Sequence, residues 1–224
     1  MSVVPPRFIT CPDNHSLDHV RRVLGTHRRQ MLPPGPVPAA VLLPLFCRDG
    51  SWQILFTKRT DRLNHHRGEI SFPGGVRHQE DPDLLTTALR ETWEEVGIRP
   101  DDVEVLGALD DIFSVYDYLV TPFVGVIPDN YRFTINPEEI ERLIVVPMTH
   151  LLRPEIYRVE DWRWKGREMP VPFFTCGDDE VWGLTAAILR QFLDLVTSQG
   201  SNPTPTDAFL PHPHPNPPPE GEGI

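Results

Sequence analysis

Cysteine is scarce in this chain: Cys11, Cys47 and Cys176 are three among 224 residues. An odd, unpatterned set fits neither a disulfide framework nor zinc-ligand spacing, and a reducing cytosol is its natural setting. Positive charge is also short. Lys and Arg number 21 against 32 Asp and Glu, a net charge of −11. That excludes the basic surface needed for nonspecific binding to nucleic acid or to an anionic membrane. No apolar run approaches the ~20 residues of a membrane-spanning helix, and no basic segment followed by an apolar run opens the chain. A cytoplasmic protein without nucleic-acid or membrane partners is expected.

A hydrophobic fraction of 39% can furnish one core. Residues 1–37 read as an extension: a helix over Ser16–Arg29, with Leu17, Val20 and Leu24 on one side, then a proline-stiffened linker from Met31. The domain spans 38–199, and the proline-rich 200–224 reads as a disordered tail. Ala39–Cys47 suits a buried strand, turned at Asp49-Gly50 onto Trp52–Thr57. Val103–Leu109 and Leu119–Ile127 are further strands, with Pro122 marking an edge or a bulge. Phe113–Tyr118 between them is an aromatic loop that either lines a pocket or covers the core. Asn136 caps a short helix or turn before Leu143–Pro147, a hairpin is expected about Lys165-Gly166, and a closing helix starts at Val181 and ends at Gly200. Strands and helices alternate irregularly, which predicts an α/β fold with a mixed sheet between helices.

The chain is organised around Ser71–Ile98. Phe72-Pro73-Gly74-Gly75 makes a rigid turn, and a polar loop leads to a helix with Asp81 as N-cap, Pro82 as first helical residue and Gly97 as stop. Leu85, Leu89, Thr92 and Val96 form its buried face. Glu91, Glu94 and Glu95 gather on another, where each like-charge pair costs about a few tenths of a kcal/mol. A hard divalent cation turns that repulsion into attraction, since Mg²⁺ prefers oxygen ligands. The glycines let backbone approach a phosphate or offer the Gly75 carbonyl to the same ion. Upstream, Lys58, Arg59, Arg62 and Arg67, with His65 and His66, make a basic run in an acidic chain. Such a wall beside a metal site suits a small molecule with several phosphates.

Arg90-Glu91-Thr92-Trp93-Glu94-Glu95-Val96-Gly97-Ile98 resembles the core of the Nudix box, the signature of hydrolases acting on nucleoside diphosphates linked to another group. Thr92 stands where an aliphatic residue is usual, and the loop before Arg90 is one residue longer, leaving Glu80 or Asp81 as the loop acid. Leu55, Thr57, Arg59, Thr60, Leu63, His66, Gly68 and the Phe72–Gly75 turn resemble the segment preceding the box in coenzyme A pyrophosphatases. Glu69 replaces the glutamine usual there.

The resemblance implies a Nudix-type α/β/α sandwich with a mixed sheet, and Mg²⁺ or Mn²⁺ held by Glu91, Glu94, Glu95 and the Gly75 carbonyl. It also implies substrate contacts at Arg59, Thr60, His66, Arg67, Gly74 and Gly75. Arg90 would orient the glutamates, and the general base is Glu91, Glu94 or Glu139. The expected reaction is metal-dependent hydrolysis of the pyrophosphate of coenzyme A or acyl-CoA to 4′-phosphopantetheine (or its acyl form) and adenosine 3′,5′-bisphosphate. NADH or ADP-ribose as substrate is the alternative; a non-catalytic nucleotide-binding module is a weaker one. Oligomeric state stays open, a homodimer included.

Overall fold

In the computed structural model, residues 11, 14–34, 37–60, 68–114, 116–164 and 167–198 are described below. Asp49 and Gly50 both take positive φ, 53° and 72°, and fold β1 (Val37–Arg48) back on β2 (Ser51–Arg59). The two strands pair only near this turn, Leu45↔Ile54 to Arg48↔Ser51. Beyond it they part, and the chain after residue 68 fills the fork. There β3 (Ile70–Ser71) pairs with β2, and β4 (Gly74–Val76) with β1. The glycine motif is therefore a short strand, inserted into the centre of the sheet. On the other side of β1 runs β7 (Tyr118–Val126), in parallel from Val37↔Tyr118 to Leu45↔Val126. Antiparallel to β7 lie β5 (Glu104–Ala108) and β6 (Ile112–Phe113), while β8 (Ile140–Pro147) closes the far side of β2 and runs into the short helix α3 (Met148–Leu151). Of the edge or bulge expected at Pro122, the edge is not found: Pro122 sits in an interior strand, where β5 gives way to β6 and the β5–β7 register shifts nearby.

Successive β1 side chains face opposite sides of this mixed sheet. Ala40 and Leu42 pack with Ala88 of helix α2 (Leu84–Val96), and Phe46 with Val96. Leu43 and Leu45 face the opposite layer, built from α1 (Asn14–Thr26) and α4 (Gly183–Thr197). The result is an α/β/α sandwich. Three antiparallel strands, β9 (Tyr157–Trp164), β10 (Arg167–Cys176) and β11 (Asp179–Trp182), form a second sheet whose last strand lies against β3. Val181 and Trp182, read from sequence as the start of the closing helix, belong to β11, and the helix ends at Thr197. The Lys165-Gly166 turn, Gly200 and the tail lie outside the described residues. No helix among the described residues is long and apolar enough to cross a membrane.

Two expectations about the N-terminal region change. Val20 and Leu24 of α1 are buried in the main core, so the helix is part of the packed body. Arg21 chelates Glu104 at 2.7 and 2.8 Å, and Arg29 bonds both Asp111 and Thr121. Cys11 and Cys47 form a disulfide with Cα atoms 5.8 Å apart, while Cys176 is free and buried. Cysteines separated by 36 residues carry no local pairing signal; the turn of the β1–β2 hairpin brings them together, with the Cys11 N–H bonding the Gly50 carbonyl.

Candidate active site

Helix α2 starts two residues later than its sequence suggests. Asp83 is the N-cap, its Oδ1 accepting from the Thr86 N–H at 2.7 Å, and Gly97 closes the helix by donating to the Trp93 carbonyl. Asp81 is freed for a different task. It is buried, and accepts from Arg90 Nε and Nη2 at 3.1 and 3.0 Å, from Thr87 Oγ1 and from the His78 N–H. The Arg90 guanidinium, followed by the other donors, holds its carboxyl well below the usual range against the opposing effect of burial. Glu80 is exposed. Of the two candidate loop acids, Asp81 is the one joined to the helix.

Arg90 uses its whole fork. Beyond Asp81, Nη1 bonds Glu91 Oε1 at 2.8 Å and Glu94 Oε2 at 2.9 Å, and Nη2 bonds the Val76 carbonyl. The guanidinium is thereby a positioning group, with its donors spent inside the protein. The three glutamates do not share one environment. Glu94 reaches Arg90 and stays 49% exposed, whereas Glu91 is largely buried and Glu95 is 2% exposed. Thr92, expected to pack its methyl, is fully buried, with its hydroxyl bonded to the Ala88 carbonyl at 2.6 Å.

Glu91 and Glu95 face the inserted strand β4. A Cβ on Gly75 would sit 2.6 Å from the Glu91 carboxyl carbon, so only glycine leaves that carboxylate its place. Gly74, at φ 156°, lies so close to β1 that a Cβ would strike the Ala40 carbonyl and Val41. Its N–H donates to Glu95 Oε2 at 3.3 Å, and Arg59 Nη1 meets Glu95 Oε1 at 3.3 Å. Both bonds are long. Burial above all, and then the nearby charges of Glu91 and Glu139, push the Glu95 carboxyl up to about 8, with Arg59 only partly opposing them. Burial likewise raises Glu91 against the pull of Arg90.

Glu139 arrives from the turn before β8. The Asn136 N–H bonds the Glu95 carbonyl, and Asn136 Nδ2 donates to Glu139 Oε1 at 3.2 Å. Thr60, expected to contact substrate, is buried beneath this turn. Its N–H bonds the Glu139 carbonyl and its hydroxyl the Glu138 carbonyl. Of the short helix or turn expected at Asn136 the structure has the turn, in which Asn136 Oδ1 accepts from the Glu138 N–H. His66 and Arg67 lie outside the described residues.

Beside this cluster opens a cavity of about 300 Å³. Arg59 and Gly74, which bond Glu95, and Gly75, which abuts Glu91, line it together with Tyr116, Trp182 and Leu184. The aromatic loop was visible in the sequence as a candidate lining, and Ser114, Tyr116 and Tyr118 do line the cavity. Trp182, Leu184 and Thr185 carried no such signal, because they arrive from the end of β11 and the start of α4, more than a hundred residues beyond β4 in sequence.

A model of the NUDIX domain matches residues 36–165. The chain is also 38% identical over 172 residues to "Uncharacterized Nudix hydrolase NudL" of Photorhabdus laumondii, covering 74% of this chain and 91% of that protein. The chain belongs to the Nudix hydrolase family. The NudL protein of Yersinia enterocolitica is similar too, 40% identical over 158 residues, 70% of this chain and 80% of that one. Solved structures resembling the Nudix domain include an Ap4A hydrolase from C. elegans, at TM-score 0.43 and 16% identity over 52% of this chain and 83% of that one. Another is the NUDIX domain of Shewanella oneidensis NrtR complexed with ADP ribose, at 0.40 and 16% over 57% and 79%.

Nudix hydrolases use divalent metal ions and act on small nucleotide derivatives. The donor chemistry here fits such an ion. The charges of Glu91 and Glu139 oppose the ionisation of Glu95, where Arg59 and the Gly74 N–H offset them in part, and the charge of Glu139 opposes that of Glu91. The set is all oxygen, hard and short of positive charge. Among the described residues, no three His, Cys, Asp or Glu side chains stand close enough together to hold a metal ion between them.

Proposed function

We propose that this Nudix hydrolase splits the pyrophosphate of coenzyme A or its acyl thioesters into 4′-phosphopantetheine, or its acyl form, and adenosine 3′,5′-bisphosphate. The observation that carries the proposal is the carboxylate cluster of Glu91, Glu95 and Glu139 beside a cavity that Arg59, Gly74 and Gly75 help to line. The segment from Leu55 to Gly75, which resembles the coenzyme A pyrophosphatase motif, supports this choice of substrate. It enters the sheet as β2, β3 and β4 beside the cluster.

Glu91, Glu95 and the Gly75 carbonyl are the oxygens assigned to Mg²⁺ or Mn²⁺, with Glu94 completing them on the solvent side. Such an ion supplies a Lewis acid for the phosphoryl oxygens and lowers the pKa of bound water. Arg90 fixes the direction of Glu91 and Glu94 and transfers no proton. Arg59 and the Gly74 N–H place positive charge where negative charge grows on the pyrophosphate. The proton of the attacking water goes to Glu139. Its Oε1 is oriented by the neutral Asn136 amide, whereas Glu91 and Glu94 are both engaged by Arg90. The cytoplasm is part of the proposal; in that reducing compartment Cys11 and Cys47 would be thiols.

Purified protein with Mg²⁺ or Mn²⁺ tests the reading against coenzyme A, its 3′-dephospho form, NADH and ADP-ribose, with products identified by mass. Coenzyme A should give the two named fragments, and loss of the 3′-phosphate should lower kcat/KM about tenfold or more, the equivalent of one good charged contact. A higher kcat/KM on NADH or ADP-ribose would reject it. Glu69, in place of the glutamine of the resembling motif, is the observation that favours that second reading.

A further inference from the structure

The second sheet has two margins, and they are built differently. On one side of β10, strand β11 covers only Phe173–Cys176, and the earlier part of β10 faces no further strand there among the described residues. That part carries Pro170 and Pro172. Proline has no N–H to donate, so both turn their nitrogens away from β9, and an edge so equipped resists further pairing. The other margin is β9. It pairs with β10 without a register shift from Tyr157↔Phe174 to Trp164↔Arg167, and among the described residues no strand lies on its far side. It contains no proline.

The register fixes which groups of β9 point outward. Pro170 stands opposite Asp161, and Pro172 opposite Val159. Bonded and non-bonded pairs alternate along an antiparallel ladder, and the prolines mark the non-bonded ones. Val159, Asp161 and Arg163 therefore aim their N–H and C=O groups away from β10. Their side chains share one face of the strand, where Val159 is 49% exposed and Asp161 and Arg163 are exposed charges. Neither Asp161 nor Arg163 makes an ion pair among the described residues, whereas Arg158 of the same strand already bonds Glu160 and Glu180.

An edge with free backbone groups takes another strand, and the charges on it select a second copy of itself. A two-fold axis perpendicular to the sheet opposes residues that point to the same face, so it passes beside a residue and never between two. Within the strand, an axis beside Arg158, Glu160, Asp161 or Arg163 sets like charges against each other. One beside Val159 relies on Arg158 and Glu160, which are paired within the chain. One beside Trp162 sets Asp161 of each copy opposite Arg163 of the other, at the positions whose outward N–H and C=O groups can exchange bonds, and brings the two Trp162 side chains together as an aromatic cross-strand pair. We infer that β9 is a dimerisation edge, to which a second copy of this chain adds its own β9 antiparallel about Trp162. Trp162 also stacks on Trp182 of the cavity lining, with ring centroids 5.7 Å apart, so the interface and the cavity share a wall.

Sedimentation velocity on the full chain tests this. Native protein should sediment as a reversible dimer. Asp161→Arg and Arg163→Asp, both changes of exposed side chains, should each raise the dimer dissociation constant about tenfold or more by opposing like charges. Mixed in equal amounts, the two variants should recover the native constant within about threefold, because the mixed pair again opposes unlike charges on both sides of the axis. Circular dichroism checks that each variant keeps its fold. A native chain that stays monomeric up to about 100 μM, as it would if another segment of the same chain lay along β9, overturns the inference. So does a dimer indifferent to either substitution, or a mixture that associates no more tightly than its components.

Discussion

Asp81 and Glu95 are both buried carboxylates facing an arginine, and their environments drive them in opposite directions. Asp81 has the Arg90 fork at 3.0 and 3.1 Å, a threonine hydroxyl and a backbone N–H, and stays ionised far below the ordinary range. Glu95 has one arginine contact and one N–H, each at 3.3 Å, with Glu91 and Glu139 repelling it, and is pushed up to about 8. The first pair is complete and holds the loop to the helix. The second has one arginine against three carboxylates, and its charges are only partly balanced. A buried ion pair by itself thus says little about function; whether its charges are satisfied says more.

Substitutions can break this contrast from either side. Glu95→Gln should lower kcat by about a thousandfold or more while leaving the fold intact, because it removes an oxygen anion from the cation's ligands and also relieves a strained charge. An unchanged kcat would remove Glu95 from the chemistry. Gly75→Ala, which drives a methyl into the Glu91 carboxylate, should lower kcat about ten- to a hundredfold, since a displacement of about 1 Å is enough for that. Asp81→Asn should act on stability first, by about 3 kcal/mol in denaturant unfolding, because Arg90 Nε and Nη2 lose their buried anionic partner. Its turnover should fall less than that of either other variant. If Asp81→Asn costs nothing in stability, the description of Arg90 as a scaffold is wrong.

The two groups also carry opposite pH signatures. Asp81 has a lowered folded pKa, so its contribution to stability is present above its ordinary pKa of about 3.8 and is lost as pH falls below it. Glu95 has a raised one. Its contribution is fully present below about 4.5 and is lost as pH rises through about 8. In chelated protein the Tm advantage of Glu95→Gln over the native chain should therefore grow between those values. A difference that is flat with pH would contradict the assignment. The smallest effect on catalysis is expected at the far end of the molecule. Cys47→Ser should lower Tm by removing the tie to Cys11, and leave kcat within about twofold.

Local chemistry made much of this legible in the sequence. The Asp49-Gly50 turn, the Gly97 stop and the spacing of Glu91 and Glu95 each depend on neighbours within a few residues, and the structure contains them all. Asp81 and Asp83 flank Pro82, and either could cap a helix, so the choice required knowing that Arg90 lay opposite one of them. The disulfide, the burial of α1 and the cavity wall at Trp182 and Leu184 depend on chain segments meeting from far apart, which no spacing encodes. His66 and Arg67, expected to face the substrate, lie outside the described residues.

Mn²⁺ titration followed by electron paramagnetic resonance tests the central claim most directly, with native protein, Glu95→Gln and Asp81→Asn compared at one pH. The account predicts that Glu95→Gln abolishes Mn²⁺ binding and that Asp81→Asn, where folded, keeps it within a few-fold of native. Native affinity in Glu95→Gln would contradict it.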